Sequence, residues 1–224
     1  MGIDVWVPRP LVNPLQSPEI IAEAVDNWEI LQAEVSQCTQ CDLCKSRSQT
    51  VFGSGNKNAD WMLIGEAPGE SEDQQGLPFG RVGSLPPATL PPSLAVVDKP
   101  GLLLTEMLRA IDLDREEVFI TNVVKCRPPE NREPTSTEVE ACKTYLLRQQ
   151  ALLKPKIILA LGHVAAQALL NTNKPIAELR GKIHTLNDTP VVVVYHPAYL
   201  LRFLPDKQKA WEDLKFAIQI IKKN

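Results

Sequence analysis

Four short apolar runs constrain this chain's fold more than any other feature. Trp61-Met62-Leu63-Ile64 stops at Gly65, a β-branched run spans Val118 to Val124, Lys156 to Leu161 stops at Gly162, and Val191 to Tyr195 stops at His196. Runs that stay apolar at successive positions, instead of alternating, belong to strands buried on both faces. Helical periodicity fills the gaps. It covers Leu102 to Ile111, Thr135 to Leu153 with Thr135 or Ser136 as the cap, 163–170, and Asp206 to Lys222. An earlier helix is expected to open at Ser17-Pro18-Glu19 and to carry Ile20, Ile21, Ala24, Trp28, Leu31 and Val35 on one stripe. Strands alternating with helices predict an α/β fold whose parallel sheet is covered on both faces. Sites in such folds gather at the carboxyl ends of the strands.

Proline marks what lies outside this pattern. Pro8, Pro10 and Pro14 make residues 1–17 an expected extended arm, and Pro86, Pro87, Pro91, Pro92 and Pro100 make about 80–100 an expected surface insertion. The rest, 18–224, reads as one domain, a size that supports a good core. No apolar run reaches the ~18 residues of a membrane span, and no signal peptide opens the chain. The expectation is a cytoplasmic protein with no membrane partner. A net charge of −3 argues weakly against tight non-specific nucleic-acid binding but leaves room for a local basic face. With aromatics at 5%, a long single-strand stacking platform is not expected.

Cys38-x2-Cys41-x2-Cys44 is followed far downstream by Cys126 and Cys142. In a cytoplasmic chain, clustered cysteines point to metal before disulfides, and an odd count fits a closed disulfide set poorly. A two-residue gap lets neighbouring thiolates reach one centre from a tight turn. Structural zinc and iron–sulfur clusters both use it, so the spacing leaves the two open.

Three further motifs sit at strand ends. Gly65-Glu66-Ala67-Pro68-Gly69-Glu70-Ser71-Glu72-Asp73 is a sharp turn followed by clustered acids. It reads as a loop where a carboxylate could orient water, or as a solvated acidic loop. A phosphate cradle is a poor reading, since the loop is acidic and has no Walker lysine. Asn122 precedes Lys125, Cys126, Arg127 and Arg132, which sets an amide able to donate and accept beside a metal-ligand candidate and basic residues. His196-Pro197-Ala198-Tyr199-Leu200-Leu201-Arg202 ends the last strand, and its apolar loop residues could wedge into a base stack.

With these motifs the chain resembles the family 4, iron–sulfur uracil-DNA glycosylases of the uracil-DNA glycosylase superfamily. The resemblance covers residues 38–202 and rests on Cys38-Thr39-Gln40-Cys41, Val51-Phe52-Gly53-Ser54-Gly55-Asn56, Gly65-Glu66-Ala67-Pro68-Gly69, Gly76-Leu77-Pro78-Phe79, Thr121-Asn122-Val123-Val124-Lys125-Cys126-Arg127-Pro128-Pro129 and the His196–Arg202 motif. It implies a three-layer α/β/α fold with a central four-stranded parallel sheet. It also implies a DNA-repair glycosylase acting on uracil-containing DNA, single- or double-stranded, and expected to work as a monomer. The implied ligands of a 4Fe-4S cluster are Cys38, Cys41, Cys126 and Cys142, with Cys44 spare. Glu66 matches the water-activating acid and His196 the group that stabilises departing uracil. Gly65, Ala67, Phe79 and Asn122 match the base pocket, with Phe79 stacking on uracil and Asn122 reading its edge. Glu72 matches a carboxylate near uracil C5. Lys125, Arg127, Arg132, Arg180, Lys182 and Arg202 are expected to contact phosphates, and Leu200 and Leu201 to enter the base stack. A non-catalytic iron–sulfur DNA-binding or replication-partner module on the same fold is the alternative. The chain departs from the family after Phe79, where the proline-rich insertion intervenes. The family's glycine pair could map to Gly80 and Gly83, or to the neighbourhood of Gly101.

Overall fold

The computed structural model describes residues 26–80 and 98–223. The proline-rich arm, the expected helix opening at 17–19 and most of the insertion lie outside the described residues.

Helix α1 (Trp28–Ser36) has its own N-cap, Asn27, whose side chain accepts from the N–H groups of Glu29 and Ile30. The stripe expected from residue 18 therefore does not continue unbroken into this helix. Strand β1 (Ser54–Gly55) and the wholly buried β2 (Trp61–Gly65) follow. Next come α2 (Glu70–Gln75), α3 (Lys99–Arg109) and β3 (Val118–Asn122). Helix α4 (Ser136–Leu153) takes Thr135, one of the two expected caps, which accepts from Glu138 N–H while the Glu138 carboxylate accepts from Thr135 N–H. Strand β4 (Ile157–Leu161), α5 (His163–Leu170), α6 (Ile176–Leu179), β5 (His184–Leu186), β6 (Thr189–Val194), α7 (Pro197–Leu200) and α8 (Lys207–Ile221) complete the order.

The strands form one sheet in the order β1-β3-β2-β4-β6-β5. Its middle, β3-β2-β4-β6, is parallel, as the apolar runs predict. The sheet nevertheless has six strands, because β1 and β5 pair antiparallel on the two edges. Both were too short and too polar to register as buried runs. Strand β5 pairs with β6 through a two-residue turn in which Asn187 and Asp188 have φ of 46° and 64°, the mirror-image turn that suits the twist of a hairpin.

Alternate residues of each central strand feed opposite cores. Met62, Ile64, Ile158, Ala160, Val191 and Val193 face the side covered by α1, α4 and α5. Trp61, Leu63, Ile157, Leu159, Val192 and Val194 face the side covered by α3 and α8. A strand buried on both faces leaves little room for polar side chains along its length, so the polar residues of the motifs collect at its carboxyl end and beyond.

Candidate active site and cysteine centre

Strand register brings the motifs together. Gly65 pairs with Asn122 across β2 and β3. A Cβ on residue 65 would fall 2.3 Å from Asn122 Oδ1 and 2.9 Å from two carbons of the Phe79 ring. Only glycine leaves room for those two side chains at once. Asn122 is 1% exposed. Among the described residues its Nδ2 is the one buried side-chain nitrogen or oxygen without a hydrogen-bond partner.

In front of this pair lies a cavity of about 540 Å³, in the size range of small-molecule sites, whose wall includes Glu66, Phe79, Glu133, His163, His196 and Arg202. Ala67 and Glu72 also line it, whereas Gly65 and Asn122 are not part of its wall and reach it only through their contact with Phe79. His196 Nδ1 accepts from Ala198 N–H at 3.1 Å, which leaves Nε2 to carry the proton of the neutral ring. Burial, aided by His163 and Arg202, pushes the His196 pKa down to about 4. The Phe79 and His196 ring centres are 5.4 Å apart at 33°. Burial raises the Glu66 carboxyl above its ordinary range, Glu133 raises it further, and His163 opposes them. His163 Nε2 lies 3.2 Å from Glu133 Oε1.

Glu72 clasps the other wall. One carboxylate oxygen accepts from Gly69 N–H at 2.5 Å and the other accepts from Phe79 N–H. Burial pushes its pKa up to about 7 against the pull of those two donors. The clasp holds Phe79 in the left-handed region, at φ 54°, a conformation that costs a non-glycine residue free energy. Gly101 backs the same residue, since a Cβ there would overlap the Phe79 carbonyl oxygen at 2.0 Å. The far end of the insertion therefore returns a glycine to Phe79, with Gly80 adjoining it in sequence. Gly83 lies outside the described residues.

Two of the expected DNA contacts are buried. Lys125 is 1% exposed, and its Nζ donates to Thr121 Oγ1 (2.6 Å), Asn122 O (2.7 Å) and Gln149 Oε1 (2.7 Å). No phosphate can reach it, so the expectation of a DNA contact fails here. Leu200, also 1% exposed, packs in the core between α3 and α8 and is no wedge. The exposed apolar residues of this loop are Leu201 (36%), Phe203 (52%) and Leu204 (59%), the last two unforeseen. Arg180 is bound to Asp213 at 2.5 Å and lies over the Tyr195 ring, which leaves it no role as a loose phosphate contact. Arg132 grips Glu138 through two hydrogen bonds of 2.7 and 2.9 Å, and Arg127 donates to Asn131 Oδ1 at 2.7 Å. Arg132 stays exposed on the cavity wall and Arg202 is exposed at its rim, whereas Arg127 is half-buried with Glu70 3.7 Å away.

Sequence reasoning missed His163 and Glu133. His163 follows Gly162 directly at the carboxyl end of β4, the position rule that singled out His196, so the signal was present. Glu133 gave none, because only tertiary folding carries its loop to β4.

All five cysteines line one pocket, together with Arg47 and Lys125. Cys38 follows α1, Cys126 follows β3 and Cys142 lies in α4. The sulfurs already attract donors. Arg47 Nη1 donates to Cys126 Sγ at 3.0 Å and the Lys125 N–H donates to Cys142 Sγ at 3.3 Å. Burial pushes the Cys126 thiol up to about 11, with Arg47 opposing, and raises Cys142 and Cys41 as well. Neighbouring sulfurs add to each of these shifts, so the thiols hold their protons until a cation takes their place. That donor set fits a soft metal centre. Among the described residues no three His, Cys, Asp or Glu side chains are already close enough to grip a single ion. Cys44, the expected spare, faces the same pocket.

The uracil DNA glycosylase superfamily model matches residues 52–215. The chain is 40% identical to the type-4 uracil-DNA glycosylase of Archaeoglobus fulgidus, over 84% of this chain and 89% of that one. It is 39% identical to the type-4 enzyme of Thermotoga maritima, over 87% and 95%, and 40% identical to that of Saccharolobus solfataricus, over 85% of each. With the family model spanning most of the chain and the strand-end residues assembled around one cavity, the chain belongs to the uracil-DNA glycosylase superfamily.

Proposed function

We propose that this protein is a DNA-repair uracil-DNA glycosylase of the type-4 kind. It hydrolyses the N-glycosidic bond of deoxyuridine in DNA, releases uracil and leaves an abasic site. The observation that carries this reading is the unpartnered Nδ2 of buried Asn122. Leaving a buried donor unsatisfied costs roughly 1–3 kcal/mol, so a fold that keeps one beside a cavity reserves it for a ligand.

A base inside a duplex is out of reach, so the deoxyuridine is flipped into the cavity. Asn122 donates to uracil O4 and accepts from N3–H. Cytosine presents the opposite pattern and would leave buried groups unpaired. Because Asn122 is not part of the cavity wall while Phe79 is, the Phe79 side must yield slightly to admit the base, and the Phe79 ring then stacks on it. Gly65 and Ala67 form the floor, and Glu72 faces C5, where it disfavours a methyl group. As the C1′–N1 bond breaks, its electron pair passes into the uracil ring and charge gathers on O2. The Nε2–H of neutral His196 donates there, worth most when that charge is greatest. Glu66 orients a water whose oxygen bonds C1′, takes up its proton and favours the cationic sugar. Uracil leaves as the anion and is protonated by solvent.

Arg127, Arg132 and Arg202 contact phosphates, while Leu201, with Phe203 and Leu204, fills the space the flipped base vacates. Cys38, Cys41, Cys126 and Cys142 hold a 4Fe-4S cluster. When bound, the cluster supplies a cross-link between the 38–44 segment, the segment after β3 and α4. The enzyme works as a cytoplasmic monomer.

Purified, iron-loaded protein should release free uracil from single- and double-stranded oligonucleotides containing dU, and His196→Ala should slow release by roughly 100-fold. If the wild-type protein leaves dU intact at every salt concentration tried, the reading is wrong and the non-catalytic module takes its place.

A further inference from the structure

Lys125 is the most heavily engaged buried cation in the described structure, and nothing in the reaction above uses it. Its ammonium has three N–H donors and meets three oxygens, from Thr121, Asn122 and Gln149. Its main chain is tied down as well. The N–H donates to Cys142 Sγ, and the carbonyl accepts from Val51 N–H at 2.8 Å. Gln149 continues the chain of contacts, because its Nε2 donates to Phe52 O at 2.9 Å, an oxygen that Thr121 Oγ1 also reaches at 2.9 Å. One residue thus touches the cysteine-bearing helix α4 with its backbone and the backbone of Asn122 with its side chain.

We infer that Lys125 is a positioning residue for uracil recognition: it ties Asn122 to the cysteine centre through its N–H on Cys142 and its ammonium on the Asn122 carbonyl. The inference rests on the uracil-DNA glycosylase reading. Its physical basis is the exposure of Asn122 to misplacement. Its Nδ2 has no hydrogen-bond partner to hold the amide in place, so any shift of the main chain that carries it passes to the amide. Three of the residues around that main chain, Thr121, Lys125 and Gln149, share one buried network in which each polar atom's position fixes the next. A small displacement of a recognition group costs a disproportionate part of the rate, because the contact is strongest only in the transition state. Lys125 touches no DNA, so it should act on the chemical step and not on encounter.

The test is a double-mutant cycle on steady-state uracil release, with Lys125→Met, Asn122→Ala and the pair, and with single-turnover rates to isolate the chemical step. Iron and acid-labile sulfide content and thermal unfolding are read on each protein. In an otherwise wild-type chain Lys125→Met should lower kcat by roughly ten-fold while KM for the oligonucleotide stays within about two-fold. In the Asn122→Ala background it should lower kcat no further. Unchanged kcat, or the same loss in both backgrounds, would overturn the inference while leaving uracil release by the wild type standing. Where Lys125→Met lowers iron content or unfolds early, Thr121→Val carries the same comparison. It removes one acceptor of the ammonium and no contact to a cysteine, and a kcat loss of roughly three-fold confined to the Asn122-containing background is expected. A wild-type protein that releases no uracil would overturn the enzymatic reading itself, a result distinct from either outcome of the cycle.

Discussion

His196 and Glu66 share a cavity but answer to burial in opposite ways. Burial disfavours the charged form of each, so the imidazole is held neutral and the carboxyl is held protonated to a higher pH than usual. The sign of the pH dependence follows. With its pKa pushed to about 4, His196 stays a neutral Nε2–H donor throughout the neutral range, and its protonation adds no limb between pH 6 and 7. In the proposed mechanism Glu66 acts ionised, so release should fall as pH drops through its raised pKa, above the ordinary carboxylate range. Glu66→Gln should lower kcat at neutral pH and abolish that acidic limb. A limb near the usual histidine pKa that disappears in His196→Ala would contradict the assignment. Glu72 has its folded pKa raised to about 7. A raised group favours the fold below its unfolded pKa and loses that contribution as pH rises to the folded value. Wild-type thermal stability should therefore decline between about pH 4.5 and 7, and Glu72→Gln should flatten that decline in unfolding scans.

At the scale of elements, α7 separates two neighbours that look alike in the sequence. Leu200 points into the core between α3 and α8, whereas Leu201 is 36% exposed. Leu200→Ala should cost about 2–5 kcal/mol of stability in denaturant unfolding. Leu201→Ala should change stability by less than about 0.5 kcal/mol and instead weaken release from duplex dU more than from single strands. The reverse assignment of the two effects would refute the placement of α7. The α4 start was legible to within one residue, as Thr135 or Ser136, and the Glu138 carboxylate on the Thr135 N–H decides for Thr135. The edge strands β1 and β5 were not, because an edge strand gets its identity from the neighbour it pairs with. Ser54–Gly55 becomes a strand only when Phe119 and Ile120 lie opposite it.

Across the whole molecule, a net charge of −3 conceals a rim of arginines near the carboxyl ends of the sheet. Arg202→Ala should reduce the slope of log affinity against log salt by about 1, whereas Lys125→Met should leave the slope unchanged, and salt titrations of oligonucleotide binding will separate them. From sequence alone, the four apolar runs determined a parallel sheet buried on both faces, and the strand-end rule placed Glu66, Asn122 and His196 at one edge of it. Both are local properties, since apolar periodicity and glycine at a strand's end act within a few residues. Which side chains remain available was decided only by tertiary structure. Lys125 and Arg202 are equally basic as letters, and Leu200 and Leu201 equally apolar. Burial divides each pair, and burial depends on what α4 and α8 bring from far along the chain. The same physics singles out Asn122, because an asparagine is unremarkable until the fold encloses it and leaves its Nδ2 without a partner.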